Sequence, residues 1–130
     1  VYFLSAVRAA RLVAPVMAAQ GSGAIVNISS TWAFEPADIF PPAAVFRAGL
    51  ASFTKIFSDN YAANNVRMNN VLPGWIDSLP ATEERRNSVP MQRYGTSEEI
   101  AATISFLLSD GAGYITCQNI RVDGGLPRAV

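Results

Sequence analysis

Apolar residues open the chain at alternating steps of four and three: Phe3, Val7, Ala10, Ala14 and Met17. That spacing is one stripe of a helix and predicts a helix over about Tyr2–Ala19, with Pro15 as a kink near its end. Gln20-Gly21-Ser22-Gly23 stops it. Ala24 to Ile28 is a short, nearly continuous apolar run between turn signals, the form of a parallel strand covered on both faces. Residues 31–42 hold Glu35-Pro36 and Pro41-Pro42 and read as a loop. From Ala43 a second helical stripe begins, Phe46, Leu50, Phe53, Phe57 and Tyr61, whose aromatics fit core packing better than a ligand site. Asn64-Asn65 supplies a left-handed residue to end it.

The pattern then returns to a strand from Val66 to Leu72. A proline-punctuated excursion follows from Pro73 to Pro90, with Glu83-Glu84-Arg85-Arg86 as a solvated helical turn. Thr96-Ser-Glu-Glu99 fits a capping box, a hydroxyl at the cap and a carboxylate three residues on. The helix it opens runs through Ile100, Ile104 and Leu107 to about Ser109, and Asn119–Val122 is a last strand, closed by the turn Asp123-Gly124-Gly125. Helix and strand alternate three times, which predicts an α/β fold with a small parallel sheet and helices on its faces. With three strands, the first presents an open edge.

Length adds that 130 residues make one domain with one core. Half the residues are hydrophobic and 15% are charged, against about 25% in an ordinary domain, so some apolar surface is expected to be covered by a partner or by further sequence. Ten basic and ten acidic residues balance to zero, which argues against a nucleic-acid binder or an anionic-membrane binder. Arg8 and Arg11 sit inside the apolar opening, the wrong layout for a signal peptide, and they break any membrane span. Without histidine, the commonest metal ligand and neutral-pH proton shuttle is absent. The lone Cys117 forms no internal disulfide and cannot build a cysteine-based zinc site; a reducing, cytoplasmic setting is expected. The chain opens in mid-helix without a Met, so sequence is expected before Val1.

Several motifs stand in one order: Gly23-Ala-Ile-Val-Asn-Ile-Ser-Ser30, Arg47-Ala-Gly-Leu-Ala-Ser-Phe-Thr-Lys55, Val66-Arg-Met-Asn-Asn-Val-Leu-Pro-Gly74, Arg93-Tyr-Gly-Thr-Ser-Glu-Glu-Ile-Ala101, Phe106-Leu-Leu-Ser-Asp110 with Tyr114-Ile-Thr-Cys-Gln118, and Val122-Asp-Gly-Gly125. Together they resemble the C-terminal half of the short-chain dehydrogenase/reductase family. The resemblance implies the C-terminal portion of a single Rossmann-type doubly wound domain over residues 1–130, an NAD or NADP cofactor and a small-molecule carbonyl or alcohol substrate. It also implies a homo-oligomer, dimer or tetramer, assembled through the helices Tyr2–Ala19 and Ala43–Asn64. The family's nucleotide-binding half would precede Val1, and no G-x-G-x-x-G occurs in the chain.

Family members carry a catalytic Ser after the strand, a Tyr thirteen residues later and a Lys four beyond that. The Tyr passes a proton to or from the substrate oxygen, the Lys lowers the Tyr pKa and holds the nicotinamide ribose, and the Ser orients the carbonyl. Ser30 matches the first position, but Ala43 stands at the second and Arg47 at the third. Arg47 keeps the charge and can bond a ribose or carboxylate, yet it gives up no proton near neutral pH. Tyr61 lies about 27 Å further along the helix at 1.5 Å rise per residue, too far to substitute. Halohydrin dehalogenases also carry an Arg at the Lys position, but they too use the Tyr. By the same resemblance, the backbone of Pro73, Gly74 and Ile76 and the Ser78 hydroxyl would contact the nicotinamide carboxamide. Two functions follow: an NAD(P)-dependent oxidoreductase with a departed catalytic motif, or a catalytically inactive relative kept for nucleotide binding or as an assembly subunit. Ala43 and Arg47 favour the second; Ser30 and the Pro73–Ser78 loop favour the first.

Overall fold

Strand β2 (Val66–Pro73) is the centre of a three-stranded sheet, with β1 (Gly23–Ile28) and β3 (Asn119–Val122) parallel to it on either side. The computed structural model describes residues 3–128, so Tyr2 of the first predicted helix lies outside the described residues. Every β2 residue from Val66 to Leu72 is buried, as a strand bonded on both edges and covered on both faces must be. Helices α1 (Leu4–Gln20) and α2 (Pro41–Tyr61) cover one face; α4 (Ser97–Leu108) covers the other. A short helix, α3 (Glu83–Ser88), lies in the excursion between β2 and α4. No helix of the described residues is long and apolar enough to cross a membrane.

The period of two along β2 sorts its side chains between two cores, one on each face of the sheet, where length alone predicts a single one. Val66 and Met68 pack with Ala10, Ala14 and Phe57 under α1 and α2, whereas Val71 packs with Ile100 and Leu107 under α4. Polar residues obey the same alternation. Asn70 faces α2, where its Oδ1 accepts from Thr54 Oγ1 at 3.0 Å and from Asn27 Nδ2 at 3.0 Å, while its Nδ2 donates to Asn119 Oδ1 at 2.8 Å. Asn27, Asn70 and Asn119 are direct partners in the sheet register, so one row of amides crosses all three strands. On the opposite face, buried Arg67 reaches the end of α4, its Nη1 donating to Leu107 O at 2.8 Å and its Nη2 to Ser109 O at 3.1 Å. Helix C-termini present unsatisfied carbonyls and a partial negative charge, and a guanidinium answers both.

Two expectations need correction. Helix α2 starts at Pro41, not Ala43, because Pro41 and Pro42 occupy its first turn, where a fixed φ and a missing N–H cost nothing. The aromatic stripe is not buried throughout: Leu50 and Phe57 are 2% and 4% exposed, but Phe46 is 51% exposed. Phe3, just ahead of α1, meets Phe53 at 6.1 Å, and Phe46 lies two turns earlier on α2. The stops agree with their sequence signals, Gly21 and Asn65 both being left-handed, at φ +68° and +59°. Cys117 takes φ +62°, a strained conformation for a side chain.

The start of α4 is tied down by several groups. Thr96 and Glu99 form the reciprocal capping box, and Asp77 Oδ1 accepts from Ser97 N at 3.0 Å and Ser97 Oγ at 2.8 Å. Arg93 adds a two-pronged bond to Glu99, at 2.9 and 2.7 Å. The Arg93 bond first and the Thr96 amide second hold the Glu99 carboxyl down at about 2. A carboxyl held low stabilises the fold above its unfolded value near 4.5 and loses that contribution as pH falls through 2. Thermal unfolding between pH 4.5 and 2 should therefore fall more steeply for the native chain than for Glu99→Gln; parallel curves would remove the claim.

Candidate functional site

In a parallel sheet the loops after successive strands emerge at one edge, and ligands collect there. The loop after β1 begins with Ser30, whose Oγ accepts from Trp32 N at 3.3 Å and caps a single 3-10 turn over Thr31–Ala33. Buried Thr31 donates from Oγ1 to Asp123 Oδ2 at 3.2 Å, tying this loop to the end of β3. The loop after β2 passes equally close: Gly74 N donates to Val122 O at 3.1 Å, and a Cβ at Gly74 would lie 2.8 Å from the Asp123 Cβ. Only glycine permits that approach. Further on, Asp77 N donates to Gly95 O at 3.0 Å, which anchors the loop against the start of α4.

Between these loops and the first turns of α2 lies a cleft of about 580 Å³. Ser30, Ala43, Arg47, Pro73, Gly74, Ile76 and Ser78 all line it, so the structure brings every site residue chosen from sequence to one place. Ala43 and Arg47 are one turn apart on α2, and Arg47 Nη1 donates to Ile28 O at 3.0 Å. Among the described residues Arg47 is the one charged residue of the lining, and the polar remainder includes serines. Among the described residues no carboxylate, tyrosine or cysteine lines the cleft. What the lining can do is bind, donate hydrogen bonds to an oxygen and exclude water.

Sequence reasoning missed the aromatic part of the cleft. Trp32 and Trp75 line it with ring centroids 5.9 Å apart and planes at 62°, and the Arg85 guanidinium lies 4.4 Å from the Trp75 ring. The excursion's helical turn is therefore not wholly solvated, since Arg85 is half-buried. One signal was available: the two tryptophans of the chain each follow the end of a strand within a few residues. Asp77 is exposed and caps the start of α4.

Hydroxyl donors, a cation and the Pro73–Ser78 backbone facing one space fit the nicotinamide and ribose portion of a dinucleotide. Among the described residues no G-x-G-x-x-G turn is present to take its pyrophosphate. No group of described residues could hold a metal ion.

Comparison with known proteins gives consistent results. A family model described as enoyl-(acyl carrier protein) reductase matches residues 1–127. The 3-oxoacyl-(acyl-carrier-protein) reductase FabG of Thermotoga maritima is 37% identical over 123 residues, covering 89% of this chain and 50% of the relative. Human dehydrogenase/reductase SDR family member 4 is 33% identical over 127 residues, covering 90% of this chain and 45% of the relative. A crystal structure of a protein assigned as a betaketoacyl-ACP reductase superposes with a TM-score of 0.79 at 32% identity, covering 86% of this chain and 50% of that one. The chain spans about half the length of the relatives it matches.

Proposed function

We propose a function from one premise: the chain belongs to the short-chain dehydrogenase/reductase family. In this reading, residues 1–130 are the C-terminal portion of a single Rossmann-like domain. They carry the substrate and nicotinamide side of an NAD(P)-dependent oxidoreductase site for a carbonyl or alcohol. The observation that carries the reading is the gathering of Ser30, Arg47, Pro73, Gly74, Ile76 and Ser78 around one cleft.

A bound nicotinamide supplies or takes up hydride; the chain's own residues position and polarise. The Pro73, Gly74 and Ile76 backbone and the Ser78 hydroxyl would hold the carboxamide, and Arg47 would bond the ribose while its charge favours negative charge developing on oxygen. Ser30 accepts from Trp32 N and turns its hydroxyl hydrogen to the substrate oxygen. Ala43 places a methyl group where the proton would be passed, which favours a second reading, a catalytically inactive relative that binds nucleotide or serves in an assembly. Apolar residues on the outer faces of α1 and α2, Leu12, Val16, Val45 and Ile56, are exposed and suit a homo-oligomer in either case. A cytoplasmic setting goes with both.

NADPH and NADH titrations of the full chain test the nucleotide side. Both tryptophans line the cleft, so nicotinamide bound there should take up their excitation energy and emit. Arg47→Gln should weaken that binding by about tenfold, the worth of one charge-assisted hydrogen bond. No transfer with either nucleotide would sink the reading.

A further inference from the structure

We propose that the cleft selects a carbonyl compound carrying an aromatic ring, held against the Trp32–Trp75 wall, over a straight acyl chain; this rests on the cleft being the substrate site described above. The wall is built and fixed. Trp75 is only 7% exposed, clamped by the edge-to-face Trp32 ring at 5.9 Å and by Arg85 at 4.4 Å, with its carbonyl accepting from Gly95 N at 2.9 Å. Trp32 is half-buried, with its backbone amide held by the Ser30 hydroxyl at 3.3 Å, and it lines the cleft. The two rings follow the ends of adjacent parallel strands, Trp32 in the turn after β1 and Trp75 in the loop after β2.

Polarity within the lining is divided. Ser30 and Arg47 supply donors for an oxygen, while Trp32, Phe40, Leu79 and Ile104 contribute apolar surface. A ligand with a carbonyl joined to a ring has the same division. Its ring gains an edge-to-face or offset contact with Trp32 beyond the burial of area, and it has few rotors to freeze. A saturated chain gains area alone and loses the freedom of every bond it orders. The cleft volume of about 580 Å³ lies in the ordinary small-molecule range of roughly 300–1,000 Å³.

The test compares 4-phenyl-2-butanone with 2-decanone, ketones of equal carbon number, by calorimetry and saturation-transfer NMR on the full chain. Simple hydrophobicity favours 2-decanone. The proposal expects the ring ketone to bind about fivefold tighter, with its ring protons receiving the strongest saturation. Trp32→Leu should abolish the preference, and Trp32→Phe, which keeps a ring against Trp75, should keep it. Equal affinities, tighter 2-decanone, or a ring preference that survives Trp32→Leu would each overturn the proposal. An NADPH titration of the same samples separates the two failures. Nicotinamide binding without ring preference removes the substrate class alone, whereas loss of both removes the site.

Discussion

Ala43→Tyr combined with Arg47→Lys is expected to raise nicotinamide-dependent carbonyl reduction by about 10²- to 10⁴-fold, the usual worth of a positioned general acid. Both positions line the cleft on one face of α2, one helical turn apart. Ala43 is half-buried and ends in a methyl, so a phenol there enters the cleft rather than the core. A Lys ammonium beside it lowers the phenol's pKa, and the smaller cation reaches a ribose without the guanidinium's fork. Ala43→Tyr alone, with Arg47 still present, should give a smaller gain, since a fixed cation also favours the phenolate. The readout is the single-turnover rate of NADPH oxidation and its pH profile, which should acquire a limb set by the phenol. Absence of both turnover and nicotinamide binding in the double variant would rule out the enzyme reading; nicotinamide binding without turnover would support the inactive one.

Arg67→Met should lower the stability of the fold by about 3 kcal/mol, the scale seen when one partner of a buried charged network is removed. The Arg67 guanidinium bonds Leu107 O, Ser109 O and, at 3.3 Å, Ile115 O, so it joins the end of α4 to the segment leading into β3. Met fills the volume of the stem but donates nothing. The carbonyls it abandons sit at a helix C-terminus, where their partial charges add. Arg67→Lys should recover only part, because an ammonium cannot fork to the same carbonyls. Denaturant unfolding with an unchanged slope is the measurement, and hydrogen exchange should show the last turn of α4 opening first. A loss below about 1 kcal/mol would mean that water replaces the guanidinium without cost.

Local signals in the sequence predicted most elements. The apolar runs at Ala24–Ile28 and Val66–Leu72 are strands, and the Thr96–Glu99 pair caps its helix, because each depends on neighbours a few residues away. The start of α2 is harder to read, since Pro41-Pro42 signals loop and first helical turn alike. Phe46 fits the stripe by periodicity, yet periodicity does not tell which end of a stripe is covered, and Phe46 is exposed. The candidate site was legible only through the ordered motifs; nothing in the periodicity distinguishes Ala43 from any other helical alanine. Trp32, Trp75 and Arg85 escaped because their meeting depends on two loops and a short helix brought together by the sheet. Arg67 and Asn70 likewise read as polar interruptions of an apolar strand until partners some forty or more residues away are in place.

Sheet formation has to join asparagines 43 and 49 residues apart in the chain, pairings that no local structure rehearses. A slip of β1 by one residue would turn the Asn27 side chain toward α4, and a slip of two would set it against Met68 or Leu72. Either leaves a carboxamide without its partner in apolar surroundings, a cost that grows as the sheet dries. One alignment alone satisfies Asn27, Asn70, Asn119 and Thr54 together. The amide row thus sets the native register of the three strands apart from its shifted neighbours.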